Sequence, residues 1–335
     1  MSSRPTHLLR SPPVRFTAPL QRMISPVSSP HSALPPRARV PRELLVRPGV
    51  PELLRQALAE WAVIAACQVG MVLVPLATPL LVVLIAGRMH AFGVILHDAV
   101  HLPMRHKSPG LRLLECLAGY SIASTWNAMR YHHLRHHHHE GTQQDAYHRP
   151  PPGPWWRAAL LWLPLIFIVP GWTVRGLVGL LAWAVPSLRN FYGRAFLMDR
   201  SGEDLTHSEE VLACARAELG QVLFQLAVLA LAWRWPTAVG LGYVLPLMMA
   251  SALCGYRLLA EHTPLRGQGR TLQAILTSTA DHGQGWLGRL LLAPRNVGCH
   301  IVHHLHPQVA ASHLPRLRAW YLQHYPEHYP RPRRF

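Results

Sequence analysis

Histidine is the residue type that stands out, by number and by spacing: the chain has 23 among 335 residues. Imidazole titrates near physiological pH, so gathering many of them away from water costs free energy unless a shared charge partner is present. His97-Asp98-Ala99-Val100-His101 sets two imidazoles four residues apart, a spacing that turns both to one helical face and suits one chelated metal ion. His90, seven residues before His97, lies on a similar face about 10 Å away at 1.5 Å of rise per residue, and reads as pocket lining or outer support. The run from Arg130 to His139 holds His133, His136 and His137 at i, i+3 and i+4, again one face, with His132, His138 and His139 pointing elsewhere. The same three-histidine spacing recurs at His300, His303 and His304.

Taken singly, an H-x-x-x-H pair arises by chance in so histidine-rich a chain, and His136 to His139 reads equally as a low-complexity metal-scavenging tract. The conjunction carries more: eight helically spaced histidines all abut predicted membrane exits. Two metal ions would supply the missing charge partner. Imidazole suits iron, copper, zinc and nickel, so donor type alone does not choose the metal. Eight or nine nitrogens give two ions four or five each and leave positions open, which is a catalytic arrangement rather than a closed structural one. Acidic residues number only 16 against 33 basic ones, a formal charge of +17, which argues against a carboxylate-built site. The five cysteines, Cys67, Cys116, Cys214, Cys254 and Cys299, are scattered with no C-x-x-C and make no disulfide framework.

The elements that must position these residues belong to a membrane protein. Half of the chain is hydrophobic and 15% is charged, where a soluble domain carries about a quarter. Residues 1–50, rich in Pro, Ser and Arg, read as a disordered basic tail with no signal-peptide core, and 51–335 as the catalytic domain. Arginines at 37, 39, 42, 47 and 55 place the N-terminus in the cytoplasm. Without aromatic interleaving, the tail is not expected to bind nucleic acid. Trp61 to Leu76 and Ala77 to Leu96 are one pair of candidate spans, turning at Pro75 and Pro79; Leu219 to Trp233 and Pro236 to Cys254 are a second. Between them, Trp155 to Trp172 and Leu177 to Pro186 are broken by Pro164, Pro170 and Arg175, predicting a hairpin or two interfacial helices. Even parity then puts every histidine segment on the cytoplasmic face. A metal transporter with histidine-rich loops is the rival from another class, disfavoured because transporters place polar ligands at mid-membrane and these spans read as having essentially none.

The boxes H-x-x-x-H at 97–101, R-x-x-H-x-x-H-H at 130–137 and N-x-x-x-H-x-x-H-H-x-x-P at 296–307 resemble the membrane fatty acid desaturase family, which includes lipid hydroxylases and carotenoid oxygenases. The likeness runs from about Arg88 to Leu317 and extends to R-x-x-x-E-H at 257–262, where His262 looks like an additional ligand. It implies an all-helical integral membrane enzyme of about four spans in two hairpins, with interfacial helices and a histidine-rich cytoplasmic cap. It implies two irons held by His97, His101, His133, His136, His137, His262, His300, His303 and His304, with O2 as co-substrate and hydrogen removed from an unactivated C–H bond. Asp98, Asp145 and Glu261 are expected to orient imidazole N–H groups, and Asn296, four residues before His300 and on the same helical face, to hold a metal-bound water or to cap the helix. The implied activity is desaturation or hydroxylation of an acyl lipid, or of a carotenoid, with electrons from a separate ferredoxin- or cytochrome-type donor. The implied location is the bacterial inner membrane, with the active site and both termini cytoplasmic.

Overall fold

The computed structural model describes residues 40–103, 107–140, 142–147, 160, 166–262, 272–283 and 285–330. Residues 1–39 of the expected tail, and much of the 148–165 stretch, lie outside these. Residues 40–49 lie against the body, with Ala310 N donating to Val46 O at 2.8 Å.

Nine helices carry the site: α1 (Val50–Leu73), α2 (Thr78–Val100), α3 (Trp126–His139), α4 (Ile168–Ala184), α5 (Arg189–Phe196), α6 (Glu209–Arg234), α7 (Pro236–Glu261, through a π-helical turn at Gly240–Val244), α8 (His300–Leu305) and α9 (Leu314–His324). No strand is present among the described residues. Helices α1, α2, α6 and α7 are long and apolar enough to cross a membrane; α1 and α2 pack on each other as one expected hairpin, whereas α6 and α7 meet at their connecting turn, with α6 packed on α4 and α7 on α2. Their starts follow local chemistry. Prolines stand in the first turns of α1 and α2, where no N–H partner is needed, and Ser208 Oγ caps α6 by accepting from Val211 N.

Helix α2 packs on both α1 and α7 and so joins the hairpins. Ile85, Met89, Phe92, Ile95 and Leu96 are fully buried there, against Leu53 and Ile64 of α1. The outward faces remain apolar: Val69, Val72 and Leu73 on α1, and Leu223, Leu226, Leu229 and Trp233 on α6, are exposed as lipid-facing residues should be. Gly87 lets the π-turn Gly288–Leu292 lie directly on α2, since a Cβ at this position would meet Leu290 O at 2.8 Å.

Two expectations need correction. The expected break at Pro170 and Arg175 is absent, because α4 runs through both; the first half of the expected hairpin or helix pair lies largely outside the described residues. Pro170 falls in its first turn, where proline is tolerated. Arg175 is wholly buried but answered: its Nε donates to Glu218 Oε1 at 2.7 Å, and its Nη2 to Gln221 Oε1 at 3.2 Å. The spans are also less bare of polar groups than their hydropathy suggests. Glu60 of α1 is buried between Arg88 of α2 (3.2 Å) and Arg295 (2.6 Å), and so ties the membrane hairpin to the segment that leads into α8.

Candidate metal centre

Each histidine segment is placed by its own anchors. The end of α2 presents His97 in its last turn and His101 as the residue that closes it. Helix α3 begins where Thr125 Oγ1 accepts from Ala128 N, and it is fastened across the end of α2. Trp126 Nε1 donates to Ala99 O at 2.9 Å, and the Arg130 guanidinium donates to Val100 O, which explains why an arginine precedes the second box. The end of α7 delivers His262 in extended conformation, pinned by Ala280 N donating to Glu261 O at 2.9 Å.

The third box has a different local structure from the one its spacing suggests. Helix α8 starts at His300, and Asn296 precedes it in a left-handed conformation (φ 64°). Asn296 therefore does not continue the helical face of His300; its Nδ2 donates to Ala311 O at 3.4 Å. Gly298 is required at the approach to α8, because a Cβ there would stand 2.2 Å from His282 O.

All nine histidines converge, and their ring nitrogens fall into two groups. His97, His101, His133 and His303 form the first. His137 joins it, with Nε2 at 2.9 Å from His133 Nε2 and 3.1 Å from His303 Nε2. His136, His262 and His304 form the second, and His300 joins it with Nε2 at 3.2 Å from His262 Nε2. The segments 97–101, 130–137, 262 and 300–304 are thus one site.

A metal fits this arrangement on chemical grounds. Each imidazole nitrogen carries one N–H or one in-plane lone pair, yet His133 Nε2 faces both His101 Nε2 (3.0 Å) and His137 Nε2, so the two contacts compete for a single site. His97 Nε2 and His136 Nε2 are buried with no hydrogen-bond partner. Protonation does not resolve the conflict: burial, and then the neighbouring imidazoles, hold His133, His137, His300 and His303 well below the usual histidine range. Lone pairs pointed at one another in a dry pocket are what a cation would satisfy.

Behind the second group stand carboxylates. His136 Nδ1 donates to Asp145 Oδ1 at 2.7 Å, as expected of Asp145. His304 Nδ1 donates to Glu140 Oε2 at 2.8 Å, and Ser278 Oγ donates to the other Glu140 oxygen at 2.8 Å. Burial alone would raise the Glu140 carboxyl, but the charge and hydrogen bond of His304 outweigh it and hold it at about 2. Glu261 lies 3.6 Å from His300 Nδ1, accepts from His282 Nε2 at 3.1 Å and pairs with Arg257 at 3.2 Å. Asp98 does not orient an imidazole. Its carboxylate accepts from Ala311 N at 3.0 Å and so fastens the chain after α8 to the first box.

Glu140, His282 and Asp281 were missed by sequence reasoning. Asp281 Oδ1 accepts from Ile301 N at 3.0 Å at the start of α8, and its Oδ2 accepts from Arg318 Nε and Tyr329 OH. Glu140 adjoins the second box and carried a visible signal. Asp281 and His282 carried none, because a long connection separates them from the third box.

Beside the centre lies a cavity of about 340 Å³ between α2, α3, α4, α5 and α7. Met89, Ile122, Met129, Val169, Trp172 and Leu258 make it largely apolar, and His90 and His132 line it too. Tyr147 separates it from the metal ligands, its ring centroid 4.4 Å from that of His136 and 5.8 Å from that of His262.

Four helices long and apolar enough to cross a membrane, with clustered histidines that could hold metal, define an integral membrane protein with a candidate metal centre. The family model for fatty acid desaturase matches residues 73–335, and the chain belongs to that family. No curated protein matches the chain. Family membership implies a membrane oxidoreductase of the desaturase and hydroxylase type, in a family that uses iron.

Proposed function

We propose that this protein is an O2-dependent oxidoreductase that desaturates or hydroxylates an acyl lipid at two irons held by His97, His101, His133, His136, His137, His262, His300, His303 and His304. The observation that carries this reading is the convergence of nine imidazoles from four separate segments into two nitrogen-lined groups. Bound iron would supply the redox chemistry that activates O2 and removes hydrogen from an unactivated C–H bond.

The protein residues supply the setting. Asp145 and Glu140 fix the Nδ1–H tautomers of His136 and His304, so that each Nε2 faces inward. The largely apolar cavity, which Arg194, Arg200 and Arg257 also line, is the space in which an alkyl chain would lie beside the centre, next to Tyr147 and His132. Electrons would come from a ferredoxin- or cytochrome-type donor. The catalytic unit is 51–335, seated in the inner membrane with the centre and both termini cytoplasmic.

Purified protein reconstituted with ferrous iron is expected to hold two irons per chain. Mass spectrometry of lipids from cells with and without the gene then distinguishes the chemistries, as acyl chains lose two hydrogens or gain one oxygen. Unchanged acyl lipids beside altered pigment would transfer the assignment to a carotenoid substrate. Iron well below two per chain would refute the dinuclear centre.

A further inference from the structure

The two nitrogen groups differ in what stands behind them. In the second group, His136 and His304 each donate Nδ1–H to a buried carboxylate, and His300 Nδ1 lies 3.6 Å from a third, Glu261. In the first group, His97, His133, His137 and His303 make no ion pair with any carboxylate among the described residues. No aspartate or glutamate falls outside those residues. The acid nearest in sequence, Asp98, turns away to accept from Ala311 N. His137 Nδ1 is buried with no hydrogen-bond partner, as is His300 Nδ1 in the second group, so the contrast rests on the two carboxylate hydrogen bonds of His136 and His304.

An imidazole that donates to a carboxylate takes on part of the character of an imidazolate and becomes the stronger electron donor to a metal at its other nitrogen. A more electron-rich ligand set stabilises the higher oxidation state of the ion it holds. Buried carboxylates also bring negative charge close to one ion in a medium of low dielectric, which acts in the same direction. Resting on the two-iron reading above, we infer that Asp145, Glu140 and Glu261 make the two irons electronically unequal: the ion held by His136, His262, His300 and His304 has the lower reduction potential. The ion held by His97, His101, His133, His137 and His303 is therefore reduced first. The carboxylate-backed ion is the last to leave the ferric state. Asp145 and Glu140 are positioning residues in this scheme, acting on the metal through the imidazoles that donate to them, and Glu261 adds its buried negative charge.

The test is Mössbauer spectroscopy and a reductive titration of the full-length protein in detergent, loaded with 57Fe. Wild-type protein reduced by one electron per centre is expected to show one ferric and one ferrous doublet of equal area, with two separate reduction steps in the titration. In Glu140→Gln and Asp145→Asn the later step should shift to higher potential, the same step in both variants, while the earlier step stays in place. A valence-averaged spectrum of the wild type overturns the inference. So do variants that move both steps alike, different steps, or neither. If one variant fails to hold iron, the other decides, and Glu261→Gln takes the place of both where both fail. Wild-type protein that binds fewer than two irons is a separate outcome, and it defeats the dinuclear reading instead.

Discussion

At the scale of single residues, the candidate site gathers imidazole nitrogens that face one another, and His136 and His304 commit Nδ1 to a carboxylate and turn Nε2 inward. Removing a ring that has no other nitrogen behind it leaves an opening in the ligand set rather than a weaker ligand. His136→Ala and His303→Ala are therefore expected to abolish turnover and lose iron while the protein remains membrane-inserted, as checked by iron content and membrane fractionation. Asp281 acts one step further out. It receives Ile301 N, Arg318 and Tyr329 together, so Asp281→Ala strands three donors, at least one of them in the buried first turn of α8. A loss of about 1–3 kcal/mol is expected, the range for stranding buried hydrogen-bonding groups. It should appear as a lower thermal midpoint in detergent, with iron released at a lower temperature than from the wild type. The i, i+3, i+4 spacing of His133, His136 and His137 was legible because it is a property of a single helix. Glu140 was not assigned a role, because its value lies in reaching His304, which is distant in the chain.

Elements explain why polar residues appear where hydropathy sees only membrane. Helix α4 is held on α6 by Arg175 and Glu218, both wholly buried and joined at 2.7 Å, with Tyr192 OH of α5 donating to the same glutamate oxygen at 2.8 Å. Arg175 looked like a helix breaker because charge inside an apolar run is costly alone; the cost disappears only when the partner 43 residues later is known. Breaking one side of a buried pair costs about 3–5 kcal/mol, far more than losing an exposed one. Glu218→Ala should thus destabilise the protein by roughly that amount. Arg175→Met with Glu218→Leu should recover most of the loss, as measured by chemical unfolding in micelles. An equal loss in the single and double variants would show that the pair is not what joins these helices.

The whole molecule sets the site at one end of two membrane hairpins. Helix α2 contributes to both the hairpin core and the metal centre, and the link from Glu60 to Arg88 and Arg295 carries that registration to the third box. With an even number of crossings, fluorescent-protein fusions at either terminus are expected to be fluorescent in the cytoplasm. A phosphatase that is active only outside it should stay silent at both positions. Opposite results at the two ends would mean an odd number of crossings and would separate the tail from the centre.

Local sequence determined the kind of protein: apolar runs long enough for a bilayer, three histidine boxes with helical spacing, and too few acids for a carboxylate-built site. Those properties depend on neighbours within a few residues, where periodicity and composition act. Tertiary structure alone decided which ring nitrogens face one another, that Asn296 leaves the helical face of His300, that Asp98 serves the backbone of Ala311, and that the carboxylates gather behind one group of histidines. Each of these outcomes turns on contacts between segments far apart in the chain, and spacing within one segment holds no information about the direction from which another arrives.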